Sequence, residues 1–174
     1  MSDVEHDRGV AASAPPPLHD DVAALAFLLG RWRGEGEGRY PTIEAFTYGE
    51  ELRIGHTGKP FLTWAQRTWS LDDGRPLHVE TGYLRAAPSG MVELVVAHPT
   101  GVVELAEGEL HGTTFELSSR LVGCTSTAKP VTGVSRRIEV DGDVLRYRLS
   151  MAAVGRTGEE HLSATLRHVE EEAS

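Results

Sequence analysis

Short turn sequences that end in glycine recur from residue 73 onward, and they constrain the fold of the chain more than any other feature. They are Asp73-Gly74, Ser89-Gly90, Pro99-Thr100-Gly101, His111-Gly112, Asp141-Gly142 and Thr157-Gly158. Turns of this length join antiparallel strands, whereas parallel strands need crossover segments of about a dozen residues or more. Apart from the loop around residues 121–130, the chain offers no such crossover. The sequence therefore predicts an antiparallel meander.

Ten segments with alternating or β-branched residues lie between Gly30 and the end of the chain. The predicted strands cover residues 31–38, 43–54, 61–70, 77–86, 91–98, 101–109, 113–120, 131–140, 143–151 and 160–169. Closing a meander of this length removes its exposed edges, and a barrel of about ten strands is wider than side chains alone can fill. We therefore predict an all-β fold, an antiparallel up-and-down β-barrel with an internal ligand cavity.

The residues before the first strand divide into two parts. Residues 1–17 combine charges, small residues and three consecutive prolines, a composition that predicts a disordered leader. From Leu18 onward, apolar residues recur at helical spacing between Val22 and Leu29, with two aspartates at the start. The pattern predicts a short helix that ends at Gly30, and we expect the barrel domain to span residues 18–170.

Charge and cysteine content narrow the class of protein. Lysine and arginine number 17 against 26 aspartates and glutamates, and the net charge of −9 disfavours phosphate backbones and anionic lipid surfaces. The single cysteine, Cys124, excludes an intramolecular disulfide and fits a reducing compartment. Neither a spanning helix nor a signal peptide is predicted. We expect a cytoplasmic protein without nucleic-acid or membrane partners, and its sequence is compatible with a homodimer.

The histidines are the residues from which a metal site could be built. The eight histidines are scattered singly, and no pair has the i, i+2 or i, i+4 spacing of a local zinc site, so a centre with several histidines is not expected. A single histidine can still hold a haem, because the porphyrin supplies the four equatorial nitrogens. In the last strand, simple alternation places His161 opposite the face that carries Leu162 and Leu166. On that reading His161 points out of the barrel or into a cleft at its rim.

The first strand carries the sequence Gly30-Arg31-Trp32-Arg33-Gly34-Glu35-Gly36. This G-x-W-x-G-x-G, with Gly30, Trp32, Gly34 and Gly36, resembles the signature of the nitrobindin family of haem-binding β-barrels. Further stretches agree with that family in the same order, and the resemblance covers about residues 24–168. These stretches are Tyr40-Pro41-Thr42-Ile43, Gly58-Lys59-Pro60-Phe61-Leu62, Leu77-His78-Val79-Glu80-Thr81-Gly82-Tyr83-Leu84-Arg85, Ala97-His98-Pro99, Thr127-Ala128-Lys129 and His161-Leu162.

The resemblance also implies a set of site residues. It implies one haem b per chain in a wide cleft, with its iron bound by a histidine on the last strand, at the position of His161. Thr42 and Lys129 match positions whose hydroxyl and ammonium bond the haem propionates, and Met151 matches an apolar pocket position. His168 is the competing candidate for the iron ligand. No side chain is expected to act as a catalyst beside the haem iron, and the pocket is expected to be open and apolar.

For function, the resemblance implies a protein that binds nitric oxide on ferrous haem and isomerises peroxynitrite to nitrate on ferric haem, so that it scavenges reactive nitrogen species. The alternative is a haem-free carrier of fatty acid or another small apolar ligand in the barrel cavity. A barrel that only binds a protein partner ranks last. That reading requires a large exposed apolar patch, which the alternation of the strands does not predict.

Overall fold

Ten antiparallel strands close into a barrel in the computed structural model, which describes residues 16–40, 43–87, 89–153 and 159–170. Each strand pairs with its neighbour in sequence, and the pairing of the first strand with the last completes the closure. This confirms the predicted fold class. The strands are β1 (Gly30–Tyr40), β2 (Ile43–His56), β3 (Leu62–Ser70), β4 (Pro76–Ala86), β5 (Met91–His98), β6 (Val102–His111), β7 (Thr114–Cys124), β8 (Val131–Asp141), β9 (Val144–Ala153) and β10 (Glu159–Val169).

The predicted strands agree with the observed ones, and the largest difference is the end of β7, which lies at Cys124 rather than at residue 120. The leader predicted for residues 1–17 falls almost wholly outside the described residues. Among the residues that the structure describes, no helix has the length and apolar character needed to cross a membrane.

A short helix closes one end of the barrel. The predicted helix is present as a 3-10 helix over Asp20–Leu28, and His19 caps it by accepting a hydrogen bond from the Asp21 backbone N–H at 3.2 Å. A 3-10 helix has about three residues per turn, so residues three apart lie on one stripe. The stripe here is fully buried and consists of Val22, Leu25 and Leu28. This helix and the apolar side chains beneath it make the closed end of the barrel.

The first strand explains why its glycines alternate with larger residues. Trp32 is buried at the closed end, where its indole N–H donates to the carbonyl of Leu28 at 2.8 Å. A Cβ at Gly34 would lie 2.1 Å from the carbonyl oxygen of Thr165, and a Cβ at Gly36 would lie 2.4 Å from the ring of Tyr48. The inner face of β1 therefore needs glycine so that β10 and Tyr48 can approach closely.

The apolar core occupies the half of the barrel next to the helix. Its side chains come from all ten strands in alternation, as expected for strands with one buried face. Toward the other end the inward positions become polar. Among the described residues, the buried polar side chains are Glu50, Glu51, Gln66, Ser70, Glu80, Glu104 and Arg136. Of these, Glu51 lies on the outward face of β2, where it pairs with the exposed Arg53 and Arg67.

Candidate functional site

The end of the barrel opposite the helix, here called the open end, gathers three of the four predicted haem contacts. Because neighbouring strands run antiparallel, odd-numbered strands end there and even-numbered strands begin there. Met151 lies near the end of β9, His161 near the start of β10, and Lys129 in the loop between β7 and β8. The topology thus brings these three predicted residues to one end of the molecule.

A β-bulge in β10 determines where His161 lies. Glu160 pairs with Ser150 and Leu162 pairs with Leu149, so His161 is an extra residue with no counterpart on β9. Such a bulge interrupts the two-residue alternation and changes the direction of a side chain. The argument that His161 must point away from the Leu162 face therefore does not apply. The His161 side chain is partly buried, and Leu162 packs against the core.

The hydrogen bond of His161 suits a metal ligand. Its Nδ1 lies 2.9 Å from the carbonyl oxygen of Arg39 on β1. A carbonyl can only accept, so Nδ1 carries the proton and donates it, and Nε2 carries the lone pair that a metal requires. Histidines that bind metals usually donate their other N–H in this way, which fixes the ring and its tautomer. His161 therefore fits the role of an iron ligand in a bound haem.

His161 shares its surroundings with His78 on β4. The pKa of His78 is lowered, chiefly by burial and also by the charges of His98, Arg136 and His161, while Glu80 opposes the change. His78 lies near the start of β4 and His161 near the start of β10, so both residues lie toward the open end. This part of the barrel holds buried polar side chains, and the expectation of an open, apolar haem pocket stays a prediction.

A buried polar cluster lies next to these histidines. His78 Nε2 is 3.1 Å from His98 Nδ1. Arg136 makes a charged hydrogen bond to Glu104 and lies 3.4 Å from Glu80. Burial alone would raise the pKa of Glu104, but the neighbouring His98 and the charge of Arg136 outweigh burial and lower it.

A second buried network surrounds Glu50 on β2. Tyr147 donates to one carboxylate oxygen at 2.6 Å, and the amide of Gln66 donates to the other at 2.6 Å. The hydroxyl of Tyr147 is also 2.9 Å from that of Tyr48. Burial raises the pKa of Glu50 to about 7, although both of these hydrogen bonds favour the ionised form. The interior therefore holds a carboxyl group that titrates near neutral pH.

His168, the competing ligand candidate, lies at the closed end of the barrel. Its Nε2 is 3.2 Å from the carbonyl oxygen of Leu29, and its ring packs edge-to-face on Trp32 with the centroids 4.9 Å apart. On β1 its partner is Trp32, near the start of the strand, whereas His161 lies beside Arg39 near the strand's other end. His168 thus contacts the helix–strand junction rather than the open end.

The other predicted residues occupy different kinds of position. Met151 is partly buried and packs against the core, so it faces inward, as its alternation with Tyr147 and Leu149 predicts. Lys129 is exposed in its loop. Thr42 lies outside the described residues.

The polar groups of the interior form no local sequence motif. His78 and His98 are twenty positions apart and meet only because β4 and β5 pair. Glu50 is the exception, because in the sequence it occupies the same alternate positions of β2 as the apolar Leu52 and Ile54. A charged residue in such a row indicates a buried polar network.

Comparison with known proteins gives consistent results. The family model for a "THAP4-like, heme-binding beta-barrel domain" matches residues 21–168. A peroxynitrite isomerase from Nocardia farcinica is 52% identical over 164 residues, covering 90% of this chain and 98% of that protein. Peroxynitrite isomerase 2 from Mycobacterium avium is 49% identical over 156 residues, with 87% and 97% covered. The crystal structure of Rv2717c from M. tuberculosis superposes with a TM-score of 0.83 at 46% identity, covering 88% of this chain and all of that one.

Proposed function

Because the chain belongs to the family of THAP4-like, heme-binding β-barrels, we propose that it isomerises peroxynitrite to nitrate on a bound haem. This agrees with its resemblance to the nitrobindins. The observation that carries the proposal is its identity of about one half, over nearly the whole chain, to curated peroxynitrite isomerases. The position and tautomer of His161 add a residue that can hold the iron.

In this proposal the protein mainly binds and positions the cofactor. Bound haem supplies the iron chemistry that converts peroxynitrite to nitrate. His161 would ligate the iron through Nε2, with the carbonyl of Arg39 holding its ring in one orientation. Lys129 and Thr42 would bond the propionates, and Met151 would provide apolar contact inside the barrel. No side chain is assigned an acid–base role in the reaction.

The partners in this proposal are small molecules, namely peroxynitrite and nitric oxide. We place the protein in the cytoplasm without nucleic-acid or membrane partners. The net charge of −9 disfavours nucleic-acid backbones and anionic membrane surfaces, and the lone cysteine suits a reducing compartment.

A second copy of the chain is the proposed macromolecular partner. Outward-facing apolar side chains form a continuous row across four strands, contrary to the expectation of no such patch. The register places Tyr83 beside Val95, Val95 beside Leu105 and Leu105 beside Leu121, each at least 40% exposed. We call this row and the neighbouring Val79 and Val103 the β4–β7 face. The ion pairs Arg85–Glu93 and Arg120–Glu107 lie within this strand set, so their charges are neutralised internally and do not repel a second copy.

Light scattering after size exclusion tests the homodimer. Leu105→Lys should convert a dimer into a monomer, because it places a charge in the middle of the β4–β7 face. Leu71→Lys is the matched control, since Leu71 is equally exposed at 42% but lies outside this face. A wild-type monomer at all concentrations, or a dimer that survives Leu105→Lys, refutes this arrangement.

Stopped-flow decay of peroxynitrite tests the activity. The haem-loaded protein should accelerate the decay and shift the products toward nitrate relative to nitrite. The haem-free protein and the same concentration of free hemin serve as controls. If the protein purifies colourless, takes up no hemin and binds fluorescent fatty-acid probes, the carrier alternative replaces the enzyme.

A further inference from the structure

Three side chains of metal-binding type converge inside the barrel, and they are not among the haem contacts proposed above. His78 and Glu80 come from β4, and His98 comes from the end of β5. His78 Nε2 lies 3.1 Å from His98 Nδ1, and Glu80 Oε1 lies 3.8 Å and 3.9 Å from those two nitrogens. Glu80 is buried and both histidines are partly buried, so this is not a chance grouping on the solvated surface.

The three separations match those between ligands of one metal ion. The circle through these atoms, with sides of 3.1, 3.8 and 3.9 Å, has a radius of about 2.1 Å. Zinc binds histidine nitrogen at about 2.0–2.1 Å and carboxylate oxygen at about 2.0–2.2 Å. An ion at the centre would therefore contact all three groups with only small movements of the side chains.

The surrounding groups orient these ligands. Arg136 Nη2 lies 3.5 Å and 3.4 Å from the two carboxylate oxygens of Glu80 and holds that carboxylate in place. His98 Nε2 lies 3.7 Å from Glu104 Oε2, so His98 can bind a metal through Nδ1 while its other nitrogen faces a carboxylate. That pairing is typical of metal-binding histidines.

Glu104 provides a separate sign that the cluster is incomplete. Only 1% of Glu104 is exposed, yet its Oε2 has no hydrogen-bond partner among the residues that the structure describes. A buried carboxylate oxygen without a donor is costly, and a metal that fixes His98 with Nε2–H toward Glu104 would relieve this cost. The carboxylates of Glu80 and Glu104 and the guanidinium of Arg136 together carry a charge of −1, which favours the binding of a cation.

We propose that His78, Glu80 and His98 bind a divalent transition-metal ion at a site separate from the haem iron. Two imidazoles and one carboxylate suit zinc and ferrous iron, and three protein ligands leave at least one position open for an exogenous ligand. The site lies toward the same end of the barrel as His161. The proposal does not depend on peroxynitrite isomerisation, and either can fail without the other.

Calorimetric titration of the untagged, full-length protein with zinc chloride, with and without bound haem, tests the site. We expect one zinc ion per chain, and at least about tenfold weaker binding in both His78→Gln and His98→Gln. His111→Gln is the matched control, because His111 is an exposed histidine 3.3 Å from Glu109 but lies outside the cluster. Its zinc affinity should equal that of the wild type. A wild type that binds no stoichiometric zinc, or variants with unchanged affinity, would overturn the proposal.

X-ray absorption at the zinc edge of the loaded wild-type protein needs no variant, so misfolding of a variant cannot obscure the answer. We expect the spectrum to show two imidazole ligands and at least one oxygen ligand around the zinc ion. A zinc shell without histidine, or with only one, contradicts it.

Discussion

Replacing Glu50 with glutamine should change the stability of the protein in a pH-dependent way. The stability of the variant minus that of the wild type should be larger at neutral and alkaline pH than at acidic pH. The carboxyl is buried, and its pKa is raised from 4.5 to about 7. Between these two pH values the folded state binds a proton that the unfolded state has lost, so the free energy of unfolding falls as the pH rises. The loss is nearly complete about one pH unit above the folded-state pKa.

The size of the effect follows from the pKa difference. One pKa unit corresponds to about 1.4 kcal/mol, so a rise from 4.5 to about 7 amounts to roughly 3 kcal/mol. The Glu50→Gln amide cannot ionise and avoids this loss. Its oxygen still accepts from Gln66, and its NH2 donates to Tyr147, whose hydroxyl then turns to donate to Tyr48. The substitution therefore leaves the network satisfied.

Urea unfolding from pH 4.5 to 8 measures this difference. The stability of Glu50→Gln minus that of the wild type should increase by roughly 3 kcal/mol across the range, while most other titrations cancel in the subtraction. Glu44→Gln, at an exposed position on the same strand, controls for loss of a negative charge. A difference that stays constant with pH would refute the assignment of a raised pKa to Glu50.

Three further substitutions test the interior and the haem contacts. Arg136→Met should cost about 3–5 kcal/mol at pH 7, because Glu80 and Glu104 lose their buried cation. Because the pKa of Glu104 is lowered, its ionised carboxylate stabilises the folded wild type above the ordinary carboxyl pKa, and this stabilisation is lost as the pH falls. The difference in unfolding free energy between the wild type and Arg136→Met should therefore be smaller in urea unfolding at pH 4. An equal loss at both pH values would contradict this. Gly34→Ala should lower stability by at least about 2 kcal/mol in thermal unfolding, because its Cβ meets a backbone oxygen. Gly133→Ala, whose Cβ has no neighbour closer than 3.8 Å, should be nearly neutral, and equal effects of the two would argue against the close approach. Lys129→Met should weaken hemin binding about tenfold in a fluorescence-quenching titration, whereas Lys59→Met, at the chain's other lysine, should not. Unchanged affinity in Lys129→Met would remove Lys129 from the haem site.

The fold could be predicted because its information is local. Turn pairs such as Asp141-Gly142 and the alternation around Leu145, Tyr147 and Leu149 specify where strands begin, end and face. The helix was predicted from its apolar spacing, but its 3-10 geometry was not, because Val22, Leu25 and Leu28 also fit an α-helical stripe. The exposed row from Tyr83 to Leu121 was missed because each strand contributes only one or two of its residues.

The site was only partly predictable. His161 was identified by resemblance, while alternation argued that it pointed outward. The bulge that decides the matter depends on the pairing of β9 with β10, which no single strand reveals. The approach of His78 to His98 and of Arg136 to Glu80 and Glu104 likewise depends on barrel closure. Pairings across strands are therefore the part of the chemistry that the sequence alone did not show.

The most direct test of the account is the absorption spectrum of the purified protein during titration with hemin. Wild type, His161→Ala and His168→Ala should be compared at equal concentrations. The account predicts a saturable Soret band in the wild type, an unchanged band in His168→Ala, and a weakened or shifted band in His161→Ala. If the wild type takes up no hemin, or if His161→Ala gives the wild-type spectrum, the central assignment of His161 as the iron ligand of a haem enzyme is wrong.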